Sequence, residues 1–283
     1  MKTIEEKNLK KTEKGNVSYV LQSLPEIHTK ILKRDVTVEL LLPKGYKESE
    51  KKYPLLILND GQDNTAVDIK SALEKLTANN QIREIIVAGV YAGDRLQEYG
   101  VSSKPDFKKR GSRAKLYSKF LINELIPYLC YEYPVSGKAA DHVIAGYSMG
   151  GLSAIDIAWN HPEIFSKAGA FSGSFWWRKR DTKSRFYSDE RDRLMHLQIK
   201  KGKFKSGLKF WFQAGTHDEM SDRNKNGVID SIDDTLDLIS ELVKKGYRPY
   251  HDIEYVETQG GEHNHNTWKK VMPDFLRWAF GII

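Results

Sequence analysis

The chain has 283 residues, 40% of them hydrophobic, with a formal net charge of +7. That length and apolar content suit one large domain, residues 1–283, and no Pro/Gly/Ser-rich linker divides it. No apolar stretch reaches the roughly eighteen residues that a membrane-crossing helix needs. The charged leader 1–15, MKTIEEKNLKKTEKG, lacks the apolar region of a secretory signal, so a cytoplasmic location is expected.

In chain order, 26–33 and 35–42 read as two strands of an opening hairpin that ends at Pro43, Lys44 and Gly45. Short apolar runs then recur at 53–58, 84–90, 142–145, 168–171, 208–212 and 253–256. Helical periodicity occupies 66–78, 114–130, 149–160, 231–245 and 266–280, with Gly246 as a cap on the fourth helix. Strands alternating with helices predict an α/β fold with a mostly parallel central sheet flanked by helices. The lone cysteine, Cys130, follows Leu125, Ile126 and Leu129 on one helix face and reads as a core residue. No internal disulfide is available to this chain.

Residues 143–151, Val-Ile-Ala-Gly-Tyr-Ser-Met-Gly-Gly, run an apolar strand into a serine between Gly146 and Gly150. This is the pattern of a nucleophile elbow, in which a sharp strand-to-helix turn forces the serine into a strained backbone angle and points its hydroxyl outward. Leu152, Ile155, Ala158 and Trp159 follow at helical spacing, which supplies the strand-turn-helix setting and nominates Ser148. A serine hydroxyl needs a general base, and the base needs a carboxylate to orient it. In an α/β-hydrolase these follow in the order Ser, Asp or Glu, His. Asp218, after the strand that ends Gln213-Ala214-Gly215-Thr216-His217, is the expected acid, with Glu219 second. His263, in the glycine-hinged loop Gly260 to His265, is the expected base, with His265 the lesser candidate. The oxyanion that forms on ester attack requires preorganised donors. The backbone amides of Met149 and of Gln62, in Asn59-Asp60-Gly61-Gln62, are the expected pair.

Arg178 to Lys205 carries eleven Lys/Arg against four Asp/Glu, a surplus equal to the whole net charge. No nucleic-acid motif and no strong amphipathic stripe accompany it, so neither nucleic acid nor membrane is an expected partner. Segment 175–207 reads as a solvated basic insertion near the active site, or as a patch that draws anionic substrates.

The markers Leu58 to Gln62, Arg95 to Tyr99, Glu124 to Pro127, the GYSMGG elbow, Ser172-Gly173-Ser174 with Trp176-Trp177, and Gly261 to Trp268 occur together. In these the chain resembles, over 26–281, the esterase branch of the α/β hydrolases. That branch contains enterochelin-type siderophore esterases, feruloyl and acetylxylan esterases and S-formylglutathione hydrolases. The resemblance implies an α/β-hydrolase fold and Ser148, Asp218 and His263 as the triad. Similar proteins place a tryptophan two residues after the histidine, where this chain has His265. It also implies substrate bound beneath the segment after Ser174. Trp176 and Trp177 would then form an aromatic wall, unless they pack in the core. Arg95 and Glu98 are expected to form an ion pair that braces the site.

A second motif, Asp222 to Asp233, follows the acid loop and matches an EF-hand calcium loop. Asp222, Asn224, Asn226, Asp230 and Asp233 fall at the oxygen-ligand positions, the Val228 carbonyl at the seventh, and Gly227 at the sharp turn. With Asp in place of Glu at the twelfth position, binding weaker than that of a cytosolic calcium buffer is expected. Asp230 and Ser231 also read as capping residues of the following helix. The expected function is a serine carboxylic-ester hydrolase working through an acyl-enzyme on a small-molecule ester, with no organic cofactor and a structural Ca2+. The alternatives are an acyltransferase with the same triad and a catalytically idle, calcium-stabilised binding protein. The residues leave the acyl group, the alcohol and the oligomeric state open.

Overall fold

A computed structural model describes residues 18–282; the leader 1–15 lies outside the described residues. The strands are β1 (Tyr19–Ser23), β2 (Ile27–Thr29), β3 (Arg34–Val36), β4 (Val38–Pro43), β5 (Leu55–Asn59), β6 (Ile86–Val90), β7 (His142–Tyr147), β8 (Lys167–Phe171), β9 (Lys209–His217) and β10 (Ile253–Glu262). The helices are α1 (Ile69–Ala78), α2 (Arg95–Glu98), α3 (Ala114–Phe120), α4 (Ile126–Glu132), α5 (Met149–Asn160), α6 (Asp189–Asp192), α7 (Leu194–Lys201), α8 (Asp230–Lys244) and α9 (His265–Phe280). A π turn, Leu121–Leu125, joins α3 to α4. Pro127, at the start of α4, cannot donate a backbone hydrogen bond, and a widened turn accommodates that gap.

Eight strands form one sheet in the order β1-β4-β6-β5-β7-β8-β9-β10. From β6 to β10 all neighbours are parallel, while β4 is antiparallel to both β1 and β6. The expected opening hairpin is corrected in part. Only β2 and β3 pair as a ribbon, and Val38–Pro43 leaves it to enter the main sheet. The edge strand β1 was not visible in the periodicity, because Val20 and Leu21 are half exposed and only Tyr19 is buried.

The pleat sorts side chains to two cores. Leu55, Ile57, Ile86, Ala88, Ile144, Phe210 and Phe212 face α3, α4, α5 and α8. Leu56, Leu58, Val87, Val143, Ala145 and Trp211 face α1 and α9. Burial on both faces explains why these strands read as continuous apolar runs. Gly246 takes a φ of 106° just past α8, a left-handed angle that glycine adopts without steric cost. The chain runs from β5 outward to β6 and then returns to β7 on the other side, so β5 and β7 flank a topological switch point. The loops after those two strands meet at the carboxyl edge of the sheet, where open α/β folds place ligands.

Candidate active site

Ser148 sits between β7 and α5 with φ 54° and ψ −117°, outside the basins that side chains favour. Its amide donates to the Phe171 carbonyl at 2.8 Å, and its own carbonyl accepts from Leu152 and Ser174 amides at 3.1 Å. The turn closes only because its neighbours are glycines. A Cβ on Gly146 would lie 2.5 Å from the Gly150 carbonyl carbon, and one on Gly150 would lie 2.4 Å from Asp60 Oδ2. The Ser148 and Ser174 hydroxyl oxygens are 3.2 Å apart.

The loop after β5 is pinned to this elbow. Asn59 Nδ2 donates to the Gly150 carbonyl at 2.8 Å, and Tyr117 donates its hydroxyl to Asn59 Oδ1 at 2.7 Å. Asp60 takes φ 61° and opens the 3-10 turn Gly61–Asp63. The amides of Gln62 and Met149 begin their turns with no acceptor among the described residues, the condition in which backbone N–H groups serve an incoming anion.

Arg95 does not pair with Glu98, which corrects that expectation. Arg95 Nε and Nη2 grip Asp60 at 2.8 and 3.1 Å, and Nη2 reaches the Tyr147 carbonyl at 3.2 Å. Glu98 is taken by Arg34 at 2.6 Å. Burial pushes the Asp60 carboxyl up from its ordinary value, and the Arg95 guanidinium opposes that shift. The pairing runs through Asp60 because the turn after β5 points that carboxylate inward, fully buried, where it needs a cation.

Asp218 and His263 are brought together by two glycines. A Cβ on Gly215 would lie 2.4 Å from the Gly261 carbonyl oxygen, so the ends of β9 and β10 touch backbone to backbone. The pairing of β10 with β9 slips between Thr258 and Glu262, and Gly260 turns there with φ 66°. Asp218 Oδ2 accepts the Gly215 amide at 3.0 Å, and Oδ1 is buried without a hydrogen-bond partner. Burial raises the Asp218 carboxyl, against the lowering pull of the Gly215 amide, the Ser172 hydroxyl and His263. Burial lowers the His263 imidazole from 6.5, Asp218 pulls it back up, and Arg95 pushes it down. The net lowering favours the neutral imidazole, the form that accepts a proton. No hydrogen bond joins His263 to Ser148 or Asp218 among the described residues; Ser148 Oγ meets Ser174 Oγ and Asp218 Oδ2 the Gly215 amide.

The rival site candidates point elsewhere. His265, on the first turn of α9, has Nε2 3.3 Å from Asp63 Oδ1. Glu219 lines a cavity of about 720 Å3, and its carboxyl is raised by burial and by Asp230 and Asp234. That cavity, bordered by Trp176 and Glu219, lies beside the loops that carry Ser174 and Asp218. Trp177 is fully buried, and the backbones of Gly100 and Gly111 close over its ring. It is a core residue, which corrects its expected place in the aromatic wall; Trp176 alone lines the cavity.

Trp268 is the residue whose role the sequence left unassigned. Its indole stacks on Tyr147 at 4.9 Å, meets the His263 ring edge-on at 5.4 Å, and donates to Ser172 Oγ at 3.0 Å. It thus ties the elbow, the histidine loop and the surroundings of the acid to one side chain. Its position inside the Gly261 to Trp268 marker was the available signal.

In the loop 222–233, Asp222 accepts the Asn226 and Gly227 amides at 3.2 and 2.9 Å, and Asn224 and Asn226 donate to Asp233 Oδ2 at 2.7 and 2.9 Å. Gly227 makes its turn with φ 87°. Asp222, Asn224, Asn226 and Asp233 therefore converge. Asp230 is held by the Arg223 amide at 2.9 Å and guanidinium at 3.0 Å. Among the described residues, no three His, Cys, Asp or Glu side chains gather as a metal site, so two carboxylates with amide and main-chain oxygens are what the loop offers.

The family model described as "Putative esterase" matches residues 29–279. The chain belongs to this esterase family. It is 22% identical over 246 residues to the uncharacterized protein YbbA of Bacillus subtilis, covering 86% of this chain and 91% of that one. Its fold is similar to that of a ferulic acid esterase, with a TM-score of 0.70 and 17% identity over 94% of this chain and 98% of the other. It is also similar to the enterobactin esterase of Shigella flexneri, with a TM-score of 0.69 and 21% identity over 93% of this chain and 58% of that chain. This esterase has the α/β-hydrolase fold, and no helix among its described residues is long and apolar enough to cross a membrane.

Proposed function

We propose that this esterase cleaves carboxylic esters through an acyl-enzyme on Ser148. Ser148 attacks the ester carbonyl while His263 takes its proton, and Asp218 orients and stabilises the imidazolium. The Met149 and Gln62 amides hold the oxyanion. His263 then protonates the leaving alcohol and activates the water that releases the acid. The observations that support this reading are the strained elbow at Ser148, the acceptor-free Met149 and Gln62 amides on the two loops that Asn59 and Gly150 join, and the half-buried Asp218 and exposed His263 on the touching ends of β9 and β10. The unpartnered Asp218 Oδ1 is the acceptor a histidine N–H would fill once the loop tightens around substrate.

The ester class is a phenolic ester, an acylated sugar or a siderophore lactone, following the ferulic acid and enterobactin esterases of similar fold. Loop 222–233 is proposed as a calcium loop that steadies the acid loop; Asp222, Asn224, Asn226, Asp233 and the Val228 carbonyl would hold the cation, while Arg223 holds Asp230. Hydrolysis of p-nitrophenyl acetate and butyrate tests the catalytic reading. Wild type should turn both over and Ser148→Ala, equally folded, should not; equal rates for the two proteins would refute it.

A further inference from the structure

Between β8 and α6 the chain carries Arg178, Lys179, Arg180, Lys183 and Arg185 in one short arm. Few of these charges are answered. Lys179 and Arg180 share the single carboxylate of Asp192 at 3.8 and 3.7 Å. Arg178 donates to the Trp176 carbonyl and lies over the Tyr187 ring. Exposed Lys183 and Arg185, and exposed Lys108 on the facing loop, have no carboxylate within ion-pair distance among the described residues. Phe186 is 57% exposed, with the Arg180 and Arg185 guanidinium groups over its ring.

The arm is fixed over the cavity rather than swinging free. The Phe107 amide donates to the Arg178 carbonyl at 3.0 Å, and Arg223 of the acid loop pairs with Asp189 at 2.9 Å. Lys108, Arg178 and Lys183, with Asp181 of the same arm, line the 720 Å3 cavity beside the loops that carry Ser174 and Asp218. Glu219 and Ser221 line the same cavity and are acceptors for hydroxyl groups. Trp176, backed by the Arg110 guanidinium at 4.9 Å from its ring, offers a flat face for a sugar ring.

We infer that the arm is a docking surface for an acidic polysaccharide, whose anionic units bind the unpaired cations while an O-acylated sugar enters the cavity. This rests on the esterase reading of Ser148. A lipid would need an apolar sleeve for its acyl chain, and the cavity has polar walls. Nucleic acid has no carboxylic ester for the site to cleave.

The test compares acetate release from O-acetylated polygalacturonate and from neutral O-acetylated xylan, each relative to p-nitrophenyl acetate. The anionic polymer should be favoured, and its advantage should fall about tenfold as NaCl rises from about 20 to about 300 mM, since screening shortens the reach of the arm's field. Lys183→Glu with Arg185→Glu, checked for folding by circular dichroism, should remove the same advantage. Calorimetric binding of de-esterified polygalacturonate tests the arm without catalysis: wild type should bind and the double variant should not. Equal cleavage of the two polymers, salt-independent preference, or absence of polygalacturonate binding overturns the inference. So does an arm whose substitution weakens binding to phosphatidylglycerol vesicles and leaves the polymer unaffected. Absence of p-nitrophenyl acetate turnover would instead overturn the reading of Ser148, with the calorimetry still deciding the arm.

Discussion

Gly146→Ala is the sharpest perturbation of the elbow. The added Cβ would lie 2.5 and 2.6 Å from the Gly150 carbonyl carbon and oxygen, and 2.8 Å from Asn59 Cβ. Carbon atoms settle near ~3.5 Å, so β7 and the start of α5 must part by about 1 Å. All three contacts involve packed backbone or the root of a side chain, so no rotamer change relieves them. Overpacking of this kind costs about 1–3 kcal/mol. At roughly 2–4 °C per kcal/mol, melting should fall by a few degrees or more. The kinetic effect should be larger. A displacement near 1 Å carries Ser148 and the Met149 amide away from the acyl carbon together, which costs on the order of 10²-fold in kcat. Gly137, where a Cβ would meet nothing within 4 Å, supplies the matched control. Steady-state turnover of p-nitrophenyl butyrate with thermal melting reads both effects. Wild-type kcat and melting in Gly146→Ala would refute the close-approach argument.

Trp268→Phe keeps a ring against Tyr147 but removes the N–H that holds Ser172; kcat should fall roughly tenfold with little change in KM, since about 1.4 kcal/mol of positioning is lost. An unaltered kcat would show that Trp268 serves packing alone. For pH, burial lowers the His263 pKa from 6.5, so the neutral base persists into mild acid and the acid limb of kcat/KM should have its midpoint below 6.5. Arg95→Gln removes a cation that disfavours the imidazolium and should move that midpoint up, as an NMR titration of His263 would also record. Calcium at about a hundred times its Kd should raise the melting temperature by roughly 5 °C or more. Asp233→Ala should abolish that rise, and melting indifferent to calcium and to chelator would remove the metal from the account.

Legibility in the sequence followed the strength of the local signal. The five long helices and the central parallel strands were readable because apolar residues repeat at 3.6 or run unbroken through a sheet buried on both faces. β1 escaped because a half-exposed edge strand has no such run. The elbow was visible because its geometry demands glycines at fixed offsets, Gly146 and Gly150. Contacts between distant segments were not visible. Arg95 choosing Asp60 over Glu98, and Arg34 reaching Glu98, depend on which carboxylates the loop after β5 turns inward. Adjacent Trp176 and Trp177 look alike in sequence, yet one borders the cavity and the other fills the space above Gly100 and Gly111. Asp230 sits at a ligand position by spacing, while Arg223 draws its carboxylate to itself.

The most direct test of the catalytic account is covalent labelling by a fluorophosphonate, with the modified residue mapped by mass spectrometry. Only a serine activated by a neutral base and facing an oxyanion site reacts rapidly with such a reagent. The account predicts one adduct, on Ser148, lost in Ser148→Ala and slowed in His263→Ala. An adduct on another residue, or an unlabelled Ser148 in folded wild-type protein, would contradict it.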